Sequence, residues 1–116
     1  MDEHRDRVVV DGNVAVLYST GFGAGWSTSN THHSYCQRCL FDPVLVEWVR
    51  DGKPSDQINL MDTYVYDVYG SDFYVVGCNI ESLEIEWIPQ GHEFLIEEYD
   101  GSESVKLKDD ILWIKA

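Results

Sequence analysis

Residues 17–30 read LYSTGFGAGWSTSN, with Gly21, Gly23 and Gly25 at every second position, then Trp26, Ser27, Thr28 and Asn30. Glycine-rich segments bind phosphate when consecutive backbone N–H groups converge, often at a helix start. A Walker-type loop also needs Gly-Lys-Ser/Thr, in which the lysine reaches the phosphates. Here no Lys or Arg lies between Arg7 and Arg38. A dinucleotide fingerprint needs G-x-G-x-x-G opening a helix inside a βαβ unit. The spacing here is G-x-G-x-G, so both nucleotide readings fail. What remains is a backbone free to adopt positive φ, a large ring with an N–H donor, and short polar side chains. That composition suits a ligand or partner site built from Gly21, Phe22, Gly23, Gly25, Trp26, Ser27, Thr28 and Asn30. The alternative is a structural loop in which Trp26 plugs the core.

A second constellation is His32, His33, Cys36 and Cys39. C-x-x-C presents two thiolates to one tetrahedral ion, and His32 or His33 would add a third ligand. Cys78 completes a zinc set only if folding brings it near. No cofactor is expected, and structural zinc on His32, Cys36, Cys39 and Cys78 stays an open alternative beside free thiols. A redox pair is disfavoured, because the motif does not open a helix after a strand. Glu97, Glu98, Asp100, Glu103, Asp109 and Asp110 crowd the C-terminal part. Paired carboxylates work as acid and base only where burial separates their pKa values, and most of these are expected to be solvated. Ser27, His32 and Asp42 make a triad on paper, without the nucleophile elbow that would support it. No catalytic residue is assigned, and a non-enzymatic role is expected.

The charge balance narrows the partners. Eight Lys+Arg oppose 21 Asp+Glu, a net charge of −13. Such a chain is repelled by nucleic acid and by anionic membrane, which leaves a basic protein partner, a cation or plain solubility. Homo-oligomer formation stays open. No run approaches the ~18 apolar residues of a membrane span, and no signal peptide is visible, so a cytoplasmic protein is expected. Three cysteines, an odd number, argue against a disulfide framework. With 116 residues, 44% of them apolar, one globular domain over 1–116 is expected.

The elements that must position these groups are legible in outline. RVVVDGNVAVLY predicts a hairpin with strands near 7–10 and 14–18 around Asp11-Gly12. Residues 19–41 show no periodicity and predict a long loop. FDPVLVEWVRDG predicts a short helix capped by Asp42, with Pro43 at its first position and Gly52 stopping it. Ile58, Met61, Tyr64, Val65 and Val68 favour a helix at 56–69, with Ser55 as cap and Gly70 as stop, over the strand that its β-branched residues also suit. DFYVVG, ESLEIEWI, EFLIEEY and SVKLKDDILWIKA predict strands, joined by Pro89-Gln90-Gly91 and DGSE turns into an antiparallel meander with one acidic face. The fold class is α+β, a mainly antiparallel sheet with one or two helices on one face.

VAVLYSTGFGAGWSTSN, LFDPVLVEWVRDGK and LEIEWIPQGHEFLIEEYDGSESV together resemble a family of small phage and prophage proteins of unassigned activity. Its members carry a GFGAGWSTWN-like stretch, an LLFDP-x-IVE helix start and an IEWVPEG-x-x-F-x-I-x-EYDG hairpin, in this order. The likeness covers about residues 14–115. Ser29 stands where a second tryptophan is usual, and THHSYCQRC at 31–39 departs from the pattern. The resemblance implies a phage accessory protein in the host cytosol. It would bind a host protein or small ligand through the glycine-rich loop and counter a host defence system. The alternative is a small enzyme acting on a nucleotide-like or phosphorylated substrate, with Arg38, Arg50 or Lys53 aimed into its site.

Overall fold

The computed structural model describes residues 7–20, 26–27, 36–70, 80–99 and 102–108. Strand β1 (Val9–Val10) turns through Asp11 and Gly12 into β2 (Asn13–Ser19). Both turn residues have positive φ, +52° and +81°, as a two-residue turn matched to the strand twist requires. Val9 pairs with Val14 and Val10 with Asn13.

A single helical turn, α1 (Cys36–Cys39), interrupts the expected loop. Helix α2 (Pro43–Arg50) starts and stops as its punctuation predicts, with Asp42 as N-cap and Gly52 at φ +88°. Leu45, Val46 and Trp48 form its buried face. A 3-10 turn (Ser55–Gln57) leads into α3 (Ile58–Tyr69), where Met61, Val65 and Tyr69 are buried one turn apart. The helix reading of this segment holds, and Gly70 ends it at φ +92°. Ser55 does not cap α3, because the 3-10 turn places it three residues before the helix.

Strand β3 (Leu83–Pro89) pairs antiparallel along the whole of β2, from Asn13 opposite Pro89 to Ser19 opposite Leu83. Strands β4 (Phe94–Tyr99) and β5 (Ser102–Leu107) form a separate two-stranded sheet. The architecture is α+β with antiparallel sheets, but the expected continuous meander is corrected. The sheet order is β1-β2-β3, and β3 does not pair with β4. The turn at Pro89-Gln90-Gly91 does form, closed by the His92 N–H on the Pro89 carbonyl at 3.1 Å. It redirects the chain instead of folding β4 back on β3, whose seven residues are already matched to β2. The expected strand in DFYVVG and the expected one at ILWI lie outside the described residues.

The core gathers Ala15 and Leu17 of β2, Trp26, Cys39, Leu45, Val46 and Trp48 around α2, Met61, Val65 and Tyr69 of α3, and Ile80 and Leu83. Val14 and Val16 point to the opposite face of β2, where they too are buried. This explains why Val14–Leu17 is apolar without alternation: the strand is covered on both sides.

Candidate functional site

Asp42 is fully buried, and four donors converge on its carboxylate. Oδ1 accepts from the backbone N–H groups of Val44 at 3.0 Å and Leu45 at 3.2 Å, which are unpaired donors of the first turn of α2. The Tyr64 hydroxyl, from α3, reaches Oδ1 at 3.1 Å and Oδ2 at 2.9 Å. The Tyr69 hydroxyl donates to Oδ2 at 2.5 Å. One carboxylate thus ties the start of α2 to the length of α3. Burying it is costly in isolation, and charge-assisted donors together with the positive end of α2 offset that cost.

Burial and then the Asp42 charge push both tyrosines above their ordinary pKa of 10.0. They therefore stay protonated and keep donating. The Arg38 guanidinium stands beside them. Burial lowers its pKa, but the neighbouring Tyr69, Tyr64 and Asp42 oxygens outweigh this and raise it. A carboxylate with all its acceptor directions filled is a poor general base, and a phenol held above 10 is a poor nucleophile at neutral pH. The cluster locks two helices together.

The lock has a pH signature. Unfolded tyrosines ionise near 10.0, whereas Tyr64 and Tyr69 hold their protons to higher pH when folded. Their contribution is complete below about pH 10 and is lost as pH rises through the folded values. The urea midpoint is expected to fall steadily above about pH 10, and Tyr69→Phe to flatten that fall. An identical slope in wild type and Tyr69→Phe would exclude Tyr69 from the effect.

Trp26 lies inside the core. Its indole Nε1 donates to the Cys39 carbonyl at 2.8 Å, and its backbone N–H donates to Ser19 Oγ at 3.1 Å. Its ring meets Tyr69 edge-on, with centroids 6.2 Å apart. Ser27 is buried beside it. Gly21, Phe22, Gly23, Gly25, Thr28 and Asn30 lie outside the described residues. Of the metal candidates, Cys36 and Cys39 share α1, and Cys39 is buried. His32, His33 and Cys78 lie outside the described residues. Among the described residues, no three His, Cys, Asp or Glu side chains are grouped to hold a metal ion.

Glu103 is a second buried acid, 4% exposed. Beyond β1, the outward N–H groups of β2 are taken in turn by other parts of the chain. Ala15 donates to the Val8 carbonyl and Leu17 to the Leu40 carbonyl. Ser19 donates to Glu103 Oε1 at 3.0 Å. Glu103 thus fastens the β4–β5 sheet to the end of β2, helped by the Ser102 hydroxyl on the Thr20 carbonyl at 3.2 Å. The signal for it is strand parity: Glu103 shares a face with Val105 and Leu107.

Arg38, Arg50 and Lys53, the cations expected to aim into an enzyme site, are engaged elsewhere. Arg50 binds Glu47 at 3.1 Å, Lys53 binds Glu84 at 2.6 Å and the Glu81 carbonyl at 2.8 Å, and Arg38 joins the tyrosines. The outer face of α3 is acidic and studded with apolar groups. Leu60 and Tyr66 are 63% and 62% exposed, with Asp56, Asp62 and Asp67 exposed around them. Among the described residues, no helix is long and apolar enough to cross a membrane.

A curated protein of Xenopus tropicalis, the probable RNA polymerase II nuclear localization protein SLC7A6OS, is similar to this chain. The two are 36% identical over 59 residues, which is 51% of this chain and 19% of the relative. The chain therefore spans only a small part of the length of the relative it matches. No known family description and no solved structure matches. The match overturns the expected phage accessory protein countering host defence through the glycine-rich loop, along with its alternative of a small nucleotide- or phosphate-acting enzyme. The similar protein is eukaryotic, and its name concerns the nuclear localization of a polymerase.

Proposed function

We propose that this chain is a non-catalytic docking module that binds a basic, apolar-centred protein surface, acting between cytosol and nucleus in the localization of RNA polymerase II. The observation that carries the reading is the outer face of α3. A Leu and a Tyr each stand more than half exposed within an acidic surround, on a chain of net charge −13. Aromatic and aliphatic anchors supply affinity when desolvated, and the acidic rim steers a basic partner and rejects acidic ones. The name of the Xenopus relative supports the choice of process. The Asp42 lock supports the mode, since it fixes α3 rigidly on α2 so that the outer face is preformed.

The test is capture of purified RNA polymerase II on the immobilised chain. Wild type is expected to retain the polymerase at low salt and release it as salt is raised. The Leu60→Lys/Tyr66→Lys double variant, altered only at exposed positions, is expected to retain at least tenfold less, on the order of the loss of one anchor pair. Failure of wild type to retain the polymerase at any salt concentration would refute the proposed process. Equal retention by both proteins would refute the α3 face.

A further inference from the structure

A groove beside β4 has chemistry of opposite sign. It is lined by Arg7, Leu40, Phe41, Phe94, Leu95 and Ile96 and encloses about 330 Å3. Phe41 and Phe94 meet edge-to-face across it, with centroids 6.1 Å apart. The Arg7 guanidinium lies over the Phe41 ring, 3.8 Å from its centroid. That stacking uses the face of the guanidinium. A guanidinium stacked on a ring can still donate hydrogen bonds in its own plane.

Arg7 Nε is buried and has no hydrogen-bond partner. This is unusual, because buried donors are nearly always paired, and an unpaired one costs free energy that a ligand acceptor would recover. It is more unusual in a chain where acids outnumber bases 21 to 8. The groove has kept carboxylates of the described residues away from a cation.

The lining also shows from which side the groove is entered. Phe94, Leu95 and Ile96 are consecutive in β4, so their side chains alternate between the two faces of the strand. A cavity touched by all three lies along the strand edge, not against one face. Among the described residues β4 pairs only with β5, and none of the β5 partners of these residues, Leu107, Lys106 and Val105, lines this groove. The groove therefore runs along the edge of β4 that faces away from β5, where no strand of the described residues pairs.

We propose that this groove binds an extended peptide segment of a protein partner by strand addition to β4, with one Asp or Glu side chain of the segment held in the fork of Arg7. The apolar neighbours of that acid pack against Phe41, Phe94 and Leu95 along the groove. The segment carries a single acid in an otherwise neutral or basic context, because the −13 field repels a richly acidic one. This site is separate from the α3 face, so either can fail without the other.

The test uses the full 15N-labelled chain and the peptide acetyl-Lys-Val-Glu-Val-Thr-Lys-amide, titrated by NMR. The expected result is saturable shifts of the Arg7 Nε–H and of the Phe94–Ile96 amides. The same peptide with Gln in place of Glu is expected to bind at least tenfold more weakly. Arg7→Gln is expected to lose the difference between the two peptides. Equal binding of the Glu and Gln peptides to wild type would overturn carboxylate recognition, without dependence on any variant folding. Acetate alone saturating the same shifts at the same concentration would overturn the peptide. So would the absence of any shift at millimolar peptide.

Discussion

Asp42→Ala is expected to lower the stability of the chain by about 3–5 kcal/mol, the range for removing one partner from a buried charged network. Two effects oppose each other. Deleting the carboxylate relieves the desolvation of a fully buried charge. It also strands the donors that converge on it. Val44 is 40% exposed, so water can reach its N–H, and the half-buried Tyr64 can turn outward. Leu45 and Tyr69, at 0% and 2% exposure, have no such escape. Each stranded donor costs roughly 1–3 kcal/mol, and the lost N-cap adds about 1 kcal/mol, so the stranding outweighs the relief. Asp42→Asn keeps an acceptor for the helix N–H groups but loses the charge that both tyrosines meet. It is expected to cost about 1–2 kcal/mol. Urea unfolding followed by tryptophan fluorescence reads both. A loss below about 1 kcal/mol for Asp42→Ala would mean that the network is incidental to stability.

Asp42 also shows how far sequence reading reaches. The Asp-Pro pair announces a helix start through chemistry confined to four residues, and it is found where expected. The Asp11-Gly12 turn is equally local. The two tyrosines that complete the site were not legible in this way. Tyr64 could be placed on the buried side of α3, but that its hydroxyl meets Asp42, 22 residues earlier, depends on how α3 packs on α2. Tyr69 sits at the end of the helix, where periodicity is weakest as a guide, yet it is the more deeply buried of the two.

The sheet shows a sharper limit. Local turn signals around Pro89 suggest that β3 and β4 pair, and the turn does form. The partner of β3 is nevertheless β2, some seventy residues earlier in the chain, because the doubly buried Val14–Leu17 run needs a full-length neighbour and β1 covers only its start. Register between distant strands is set by such competition, which no local window contains. Glu103 lies between these cases. Its parity with Val105 and Leu107 marks it as inward, while its charge argues for solvent, and the Ser19 N–H decides the contest. Arg7 and its groove draw on three separate segments and had no sequence signature.

Trp26→Ala is expected to cost about 3–5 kcal/mol, as for other fully buried tryptophans. Among the described residues the side chain is the largest that is completely buried, and it closes the space between Tyr69, Cys39 and the end of β2. Its removal leaves a cavity beside the Asp42 lock, so part of the cost is expected to be shared with Tyr69. Trp26→Phe separates the contributions. It retains most of the apolar volume and an edge-to-face partner for Tyr69, but loses the donor to the Cys39 carbonyl. A cost of about 1–2 kcal/mol is expected for that change, from the lost hydrogen bond and a smaller void. A double-mutant cycle with Tyr69→Phe then asks whether the ring pair and the Asp42 lock act together. Contact residues in one network typically couple by 0.5–3 kcal/mol, whereas independent sites add within about 0.5 kcal/mol. Additivity here would mean that Trp26 anchors its segment to the core without supporting α3, and the preformed outer face would then depend on Asp42 and the tyrosines alone.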